Sequence, residues 1–245
     1  MKRDIRIIAL DMDGTLLNGN NEISLENKRA IDLAVKKGIH VIISTGRPLA
    51  SIKPYIHDLG LQSYSVTVNG GQVWDDKGNL ISEKLLEPDQ VKAMTDLIHT
   101  HNIKHWAVTT EGYFTNNIPA DINVSDYDWL KIGFEINDDR LRDRIRNKLQ
   151  YINVEITNSS PVNLEINQKG VSKGNALRTI CKKLNFSMDQ VMAVGDSLND
   201  MSMIQKAGVG IAMGNAQEIV KNAADWITET NEKDGVAKAI RHWVL

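Results

Sequence analysis

The chain alternates short apolar runs with stretches of helical periodicity. Ile5-Arg6-Ile7-Ile8-Ala9-Leu10 is near-continuously apolar rather than alternating, so it reads as a strand covered on both faces. Ser24 can cap a following helix whose apolar positions include Leu25, Ile31, Leu33, Ala34 and Val35, and Gly38 stops it. Residues 39–43 and 65–68 are two further strands, and Pro48 suits the first turn of the helix between them. Strand–helix–strand alternation of this kind predicts a parallel, doubly wound α/β sheet.

The middle of the chain changes character. Residues 72–86 read as a hairpin that turns at Asp75-Asp76-Lys77-Gly78. Pro88 opens a helix to about His101, and strands are predicted at residues 105–109, 113–115 and 131–136. Asp138-Asp139 starts a charged helix to about Leu149, with strands near residues 153–156 and 162–166. Helix followed by two strands occurs twice, which predicts an α+β insert with an antiparallel sheet. Alternation then resumes, with helices at 173–184, 201–207, 217–224 and 236–243 and strands at 190–194, 209–212 and 225–227. One sheet domain built from both ends of the chain, interrupted by an insert, is the simplest architecture.

Composition narrows the class of partner. Among 245 residues, 29 Lys and Arg stand against 31 Asp and Glu, so no polybasic footprint for nucleic acid or anionic lipid is expected. Cys181 is the only cysteine, which forbids an internal disulfide and fits a reducing compartment. Its neighbours at helical spacing, Leu177, Ile180 and Leu184, predict burial rather than reactivity. The start, Met1-Lys2-Arg3-Asp4 before a short run containing Arg6, is too short and too charged for a signal peptide. No stretch approaches the roughly 20 apolar residues that span a bilayer. A cytoplasmic protein without nucleic acid or membrane partners is therefore expected; oligomeric state is not legible.

The chemistry collects at strand ends. The first strand stops at Asp11-Met12-Asp13-Gly14-Thr15, the second at Ser44-Thr45-Gly46-Arg47 and the third at Asn69-Gly70-Gly71. The strand at 190–194 stops at Gly195-Asp196, with Asn199 and Asp200 just beyond. A parallel sheet puts all its carboxyl ends on one edge, where open α/β sheets bind ligands. Lys173 begins a helix that can reach the same edge. Carboxylates alone would suit a hard cation. Adding Lys173, Thr45, Asn199 and backbone N–H groups makes a place for a phosphate beside a metal. Each residue also has a plainer reading. Asp-x-Asp-Gly-Thr by itself fits a turn with an Asx cap, Thr45 and Asp200 fit helix caps, and Asn69 fits a turn with Gly70-Gly71. Arg47 fits a surface ion pair as readily as a phosphate contact. Lys173 is unfavourable beside a helix N-terminus, which points to an anionic neighbour. In the insert, His105, Trp106, Tyr113, Tyr127 and Trp129 read more readily as core or surface than as a pocket, and the run from Arg140 to Lys148 reads as a solvated helix face.

The four segments around Asp11-Met12-Asp13-Gly14-Thr15, Thr45, Lys173-Gly174 and Gly195-Asp196-Ser197-Leu198-Asn199-Asp200, in that order, resemble the haloacid dehalogenase superfamily of phosphotransferases. The insert, with Asn69-Gly70-Gly71, Val171-Ser172-Lys173-Gly174-Asn175-Ala176-Leu177 and Ala212-Met213-Gly214-Asn215-Ala216, resembles its Cof-type subfamily (cap type IIB). The resemblance implies a Rossmann-like catalytic core from residues 1–83 and 171–245 and a substrate-specificity cap from residues 84–170. Asp11 would attack the phosphoryl group. Asp13 would act as general acid and then base, with a raised pKa supplied by a crowd of like charges, and its backbone carbonyl would bind Mg²⁺. Asp11 and Asp196 would ligate Mg²⁺, with Asp200 direct, through water, or holding Lys173. Thr45 and Lys173, with Gly46, Arg47, Asn69, Asn199 and N–H groups near Met12, would bind the phosphate. The implied activity is Mg²⁺-dependent hydrolysis of a small phosphorylated metabolite: a sugar phosphate, or a cofactor or precursor phosphate such as pyridoxal phosphate or a riboflavin-pathway intermediate. The alternatives are a sugar phosphomutase and a binding protein without turnover, against which the intact Asp11/Asp13 pair argues.

Overall fold

The computed structural model describes residues 4–245; Met1, Lys2 and Arg3, whose charge entered the argument against a signal peptide, lie outside the described residues. In chain order the elements are β1 (Ile7–Leu10), α1 (Leu25–Lys36), β2 (His40–Ser44), α2 (Leu49–Asp58), β3 (Ser65–Thr67), β4 (Gln72–Trp74) and β5 (Leu80–Glu83). The insert follows as α3 (Pro88–His101), β6 (Lys104–Thr109), β7 (Tyr113–Thr115), β8 (Trp129–Glu135), α4 (Asp139–Leu149), β9 (Val154–Thr157) and β10 (Asn163–Gln168). The chain closes with α5 (Lys173–Leu184), β11 (Val191–Gly195), α6 (Met201–Lys206), β12 (Val209–Ala212), α7 (Glu218–Ala223), β13 (Trp226–Ile227) and α8 (Gly235–Trp243). Backbone contacts divide it into two compact units: the residues up to Ile81 with Ser172–Leu245, and Ser82–Val171.

The first unit carries an eight-stranded sheet in the order β13-β12-β11-β1-β2-β3-β4-β5. From β13 to β3 every neighbouring pair is parallel; β4 turns back antiparallel on β3. Strand β1 lies between β2 and β11, so the winding reverses beside it, and that reversal opens a crevice at the carboxyl ends. Both faces are covered. Ile8, Leu10, Val41, Ile43, Met192 and Val194 pack in one cluster with Ala30, Ile31 and Ala34 of α1. Ile7, Ala9, Ile42, Val191 and Ala193 pack in another with Leu177, Ile180 and Cys181 of α5. Two-sided burial is why these strands read as unbroken apolar runs. Burial also pushes the Cys181 thiol pKa up, as its helix neighbours predicted.

Helix α1 begins where expected: Ser24 Oγ accepts from the Asn27 N–H at 3.1 Å. Its buried stripe is narrower than the apolar pattern implied. Leu25, Leu33 and Val35 are exposed, because the 3.6-residue period turns them away from Ala30, Ile31 and Ala34.

The second unit is a five-stranded antiparallel sheet in the order β7-β6-β8-β10-β9. Helices α3 and α4 cover one face, sending Val91, Met94, Ile98, Ile145 and Leu149 onto Ile132, Phe134, Leu164 and Ile166. A capping box between Glu87 and Gln90 starts α3, and Asp138 caps α4. Only Ile145 and Leu149 of α4 are buried, and Arg142 and Arg146 pair with Asp139 and Asp143 one turn away, a largely solvated face as read. Trp129 is buried, stacks on Phe114 and donates its indole N–H to the Val124 carbonyl. His105 is held between the Ile103 carbonyl and the Ile118 N–H. Both are structural. Among the described residues no helix is long and apolar enough to cross a membrane.

Candidate active site

Strands β1, β2, β3 and β11 are consecutive neighbours, so their last residues deliver Asp11, Thr45, Asn69 and Asp196 to one edge. The Asp11 N–H donates to the Val194 carbonyl, which carries the β1–β11 ladder one step past the strand. Gly14 then turns the chain with φ +75°, and a Cβ there would lie 2.6 Å from Asp196 Oδ2. The loop can therefore approach Asp196 only as glycine. Asn215, in the turn after β12, donates its amide to the Gly14 carbonyl and fixes that loop from the other side.

Lys173 is the centre of the buried polar cluster. Ser172 caps α5 and places Lys173 in its first turn, where the side chain is fully buried. Its Nζ donates to Asp11 Oδ1 and to Asp200 Oδ1, each at 2.6 Å. The anionic neighbours suggested by a lysine at a helix N-terminus are these two carboxylates. Asp200 uses its other oxygen, Oδ2, to accept the N–H groups of Asp196 (2.9 Å) and Ser197 (3.1 Å), so with Lys173 it is held by three donors. Asp196 accepts from Ser197 Oγ at 2.9 Å and from Thr15 Oγ1 at 3.3 Å. The hydroxyls of Thr15 and Ser197 lie inside segments read as motifs, but only a fold that joins β1 to β11 shows what they touch.

The ionisation of this cluster follows from its burial. Asp11 is raised well above the ordinary carboxylate range, first by burial and then by the Asp200 charge, against the opposing pull of Lys173. Asp196 is raised to about 7 by burial and by Asp200. Lys173 loses from burial, but the charges of Asp11 and Asp200 more than reverse that and leave it raised. One ammonium thus serves three carboxylates. Asp11, Asp196 and Asp200 each offer an oxygen within 4.8 Å of the others. Hard oxygens this close, short of positive charge, fit a divalent cation.

The remaining predicted residues lie in the loops at the same strand ends. Thr45 is buried, and its Oγ1 accepts the Arg47 N–H at 3.1 Å, so its hydroxyl proton is free to point elsewhere. Asn69 is buried with φ +61°, and Asn199 Nδ2 donates to its Oδ1 at 3.3 Å. Asn199 Oδ1 is buried with no hydrogen-bond partner. The Met12 side chain is in the core, so only its backbone can face a ligand. Gly46 joins Thr45 to Arg47 in the same loop.

Asp13 stands apart. Its side chain is about half exposed and lies outside the carboxylate group. Arg47 grips it by two bonds, Nε to Oδ2 at 2.9 Å and Nη2 to Oδ1. The neighbour of Asp13 is an opposite charge; the crowd of like charges expected around it surrounds Asp11 and Asp196 instead. Asp13 extends from the turn after β1 away from the buried side of the sheet, which is the physical reason.

The profile of the haloacid dehalogenase-like hydrolase family matches residues 8–128 and 119–240. The chain belongs to the haloacid dehalogenase-like hydrolases. This hydrolase is 50% identical over 243 residues to the 5-amino-6-(5-phospho-D-ribitylamino)uracil phosphatase YcsE of Bacillus subtilis, covering 99% of this chain and 97% of that one. It is 28% identical to a second protein of B. subtilis, the 5-amino-6-(5-phospho-D-ribitylamino)uracil phosphatase YwtE, over 95% of this chain and 96% of the other. A solved haloacid dehalogenase-like hydrolase from B. subtilis superposes with a TM-score of 0.89 at 27% identity, covering 98% of this chain and 100% of that one. The doubly wound core and the α+β insert are those of the family, and this hydrolase is a phosphoric monoester hydrolase of Cof type. The family generally uses a divalent metal, and the buried carboxylates are the group suited to it.

Proposed function

We propose that this hydrolase removes phosphate from a small metabolite through an aspartyl-phosphate on Asp11, with Mg²⁺ held by Asp11, Asp196, Asp200 and the Asp13 carbonyl. The observation that carries the reading is the buried Asp11–Lys173–Asp200 chain at 2.6 Å, with Asp196 within reach. A carboxylate at a strand end, oriented by a lysine and short of positive charge, is a placed nucleophile. Mg²⁺ prefers oxygen ligands and keeps several waters, so three carboxylates suffice, and when bound it would neutralise charge on the phosphoryl oxygens.

The residues of the chain do the rest. An Asp11 oxygen attacks phosphorus as the bond to the leaving oxygen breaks, and Asp13 gives that oxygen its proton. Asp13 then takes a proton from the water that attacks phosphorus and frees Asp11. Lys173 holds Asp11 by Oδ1 and binds a phosphoryl oxygen. The Thr45 hydroxyl, the Met12 and Gly46 N–H groups, Asn69 and Asn199 complete the phosphate cradle. Positioning and charge neutralisation supply most of the acceleration.

The substrate we favour is 5-amino-6-(5-phospho-D-ribitylamino)uracil, because the match to a phosphatase of that name, 50% identical overall, covers the insert as well as the core. The insert, residues 84–170, would act as the cap that selects the leaving group, and the enzyme would work in the cytoplasm on a soluble metabolite. Phosphate release from this compound, sugar phosphates and pyridoxal phosphate, with and without Mg²⁺, tests the reading. A kcat/KM for the ribitylaminouracil phosphate well above the others supports it. A flat panel, or a clear preference for another compound, overturns the substrate, and turnover unaffected by chelation overturns the metal.

A further inference from the structure

Arg47 is built into a clamp that faces Asp13. Its backbone is fixed at both ends: its N–H donates to Thr45 Oγ1, and its carbonyl accepts the Val68 N–H at 3.1 Å. Its guanidinium lies over the Tyr55 ring, 5.8 Å from the centroid, and Nη2 also reaches Asn21 Oδ1 at 3.3 Å. The Tyr55 hydroxyl donates to the Asn21 carbonyl at 3.2 Å, so Tyr55 and Asn21 brace each other and the arginine. Asn21 adopts φ +59°, a left-handed turn that asparagine tolerates. A long side chain anchored at its backbone, ring face and edge presents its fork in one orientation. The fork meets both oxygens of Asp13. Bidentate guanidinium–carboxylate geometry fixes the plane of the carboxylate as well as its distance.

We propose that Arg47 is a positioning residue for Asp13: it sets the direction in which the Asp13 carboxyl group presents its proton to the leaving oxygen, with Asn21 and Tyr55 as its supports. The inference rests on Asp13 acting as the acid of the proposed mechanism. It differs from the reading of Arg47 as a phosphate ligand, because its guanidinium hydrogen-bonds Asp13 and Asn21 and lies against Tyr55.

The two roles separate by leaving group. An alkoxide needs a proton as it departs, whereas p-nitrophenolate leaves as a stable anion. The parameter kcat/KM covers the steps up to departure, so it excludes the later hydrolysis in which Asp13 is base. Arg47→Met should lower kcat/KM for an alkyl phosphate by about 10²-fold, the scale of a misplaced catalytic group, and leave p-nitrophenyl phosphate within a few-fold. Arg47→Lys, which keeps the charge and loses the fork, should fall between parent and Met. Asn21→Gly, which keeps the backbone turn and removes one support, should shift the same ratio less; it carries the test if Arg47→Met does not fold. An equal fall on both substrates, or an unchanged ratio in all three variants, overturns the inference. Asp13→Asn is the reference. If it too shows no leaving-group dependence, the acid role fails and the inference with it; if it shows the dependence while the Arg47 variants do not, only the positioning role fails.

Discussion

Lys173→Met removes the one cation among Asp11, Asp196 and Asp200 and replaces it with an apolar chain of similar length. Both ion pairs it breaks are buried: Lys173 and Asp200 have no exposed side-chain surface, and Asp11 has 6%. Removing one partner of a buried pair leaves uncompensated charge and costs about 3–5 kcal/mol. For a chain of this size each kcal/mol moves the melting temperature by roughly 2–4 °C, so metal-free Lys173→Met should melt about 10 °C below the parent at pH 8. Acid should shrink the gap. Asp11 already binds protons well above the ordinary carboxylate range, and a proton cancels the charge Lys173 no longer balances. Mg²⁺ should narrow the gap at pH 8 for the same reason. Phosphatase activity should be lost even where the fold is restored, since no ammonium remains to hold Asp11 and the phosphate. The assay is calorimetric melting of both proteins at pH 5.5 and 8, with chelator and with Mg²⁺. A melting temperature within about 2 °C of the parent at pH 8 without metal would refute the argument that Lys173 neutralises the cluster.

Two further outcomes follow from the same site. Asp196 is raised from an ordinary value near 3.8 to about 7 in the metal-free fold, so it contributes stability that is full below pH 4 and lost as pH rises through about 7, at most about 4 kcal/mol. Metal-free protein should therefore be less stable at pH 8 than at pH 5 relative to Asp196→Asn, and Mg²⁺ affinity should strengthen up to pH 7 as the cation displaces the proton; identical pH profiles for parent and Asp196→Asn would contradict this. At Gly195, a Cβ would lie 2.4 Å from Asp200 Cγ, and Asp200 is pinned by Lys173 and two N–H groups. Gly195→Ala should cost about 1–3 kcal/mol by overpacking and weaken Mg²⁺ binding in a titration; a variant with parental melting and affinity would show that Asp200 can move freely.

The core of the fold was legible because burial on two faces writes itself as apolar runs, and because punctuation such as Ser24, Pro48, Pro88 and Asp138 marks helix starts. The meeting of Asp11, Thr45, Asn69, Lys173 and Asp196 followed from strand order, which a parallel sheet turns into proximity. What pattern could not show was which partner each side chain takes. Asp13 lies two residues from Asp11 yet pairs with Arg47 on the exposed side rather than with the buried Lys173, because the chain turns between them. Asn215, in the turn after β12, is a tie to Gly14, a contact 201 positions apart. In the insert, Lys131 and Glu165 form a buried pair on the sheet face opposite α3 and α4, 3.3 Å apart. Neither lies in a motif, and antiparallel register, rather than local pattern, brings them together.

The central claim is that Asp11 carries the phosphoryl group. It is tested by quenching the enzyme in acid during turnover with Mg²⁺ and an alkyl phosphate, then sequencing the peptides by mass spectrometry. Asp11 should bear one phosphoryl group, the modification should accumulate when hydrolysis is slowed in Asp13→Asn, and Asp11→Asn should show neither modification nor phosphate release. Phosphate release at the parental rate from Asp11→Asn, or a phosphoryl group on a different residue, would contradict it.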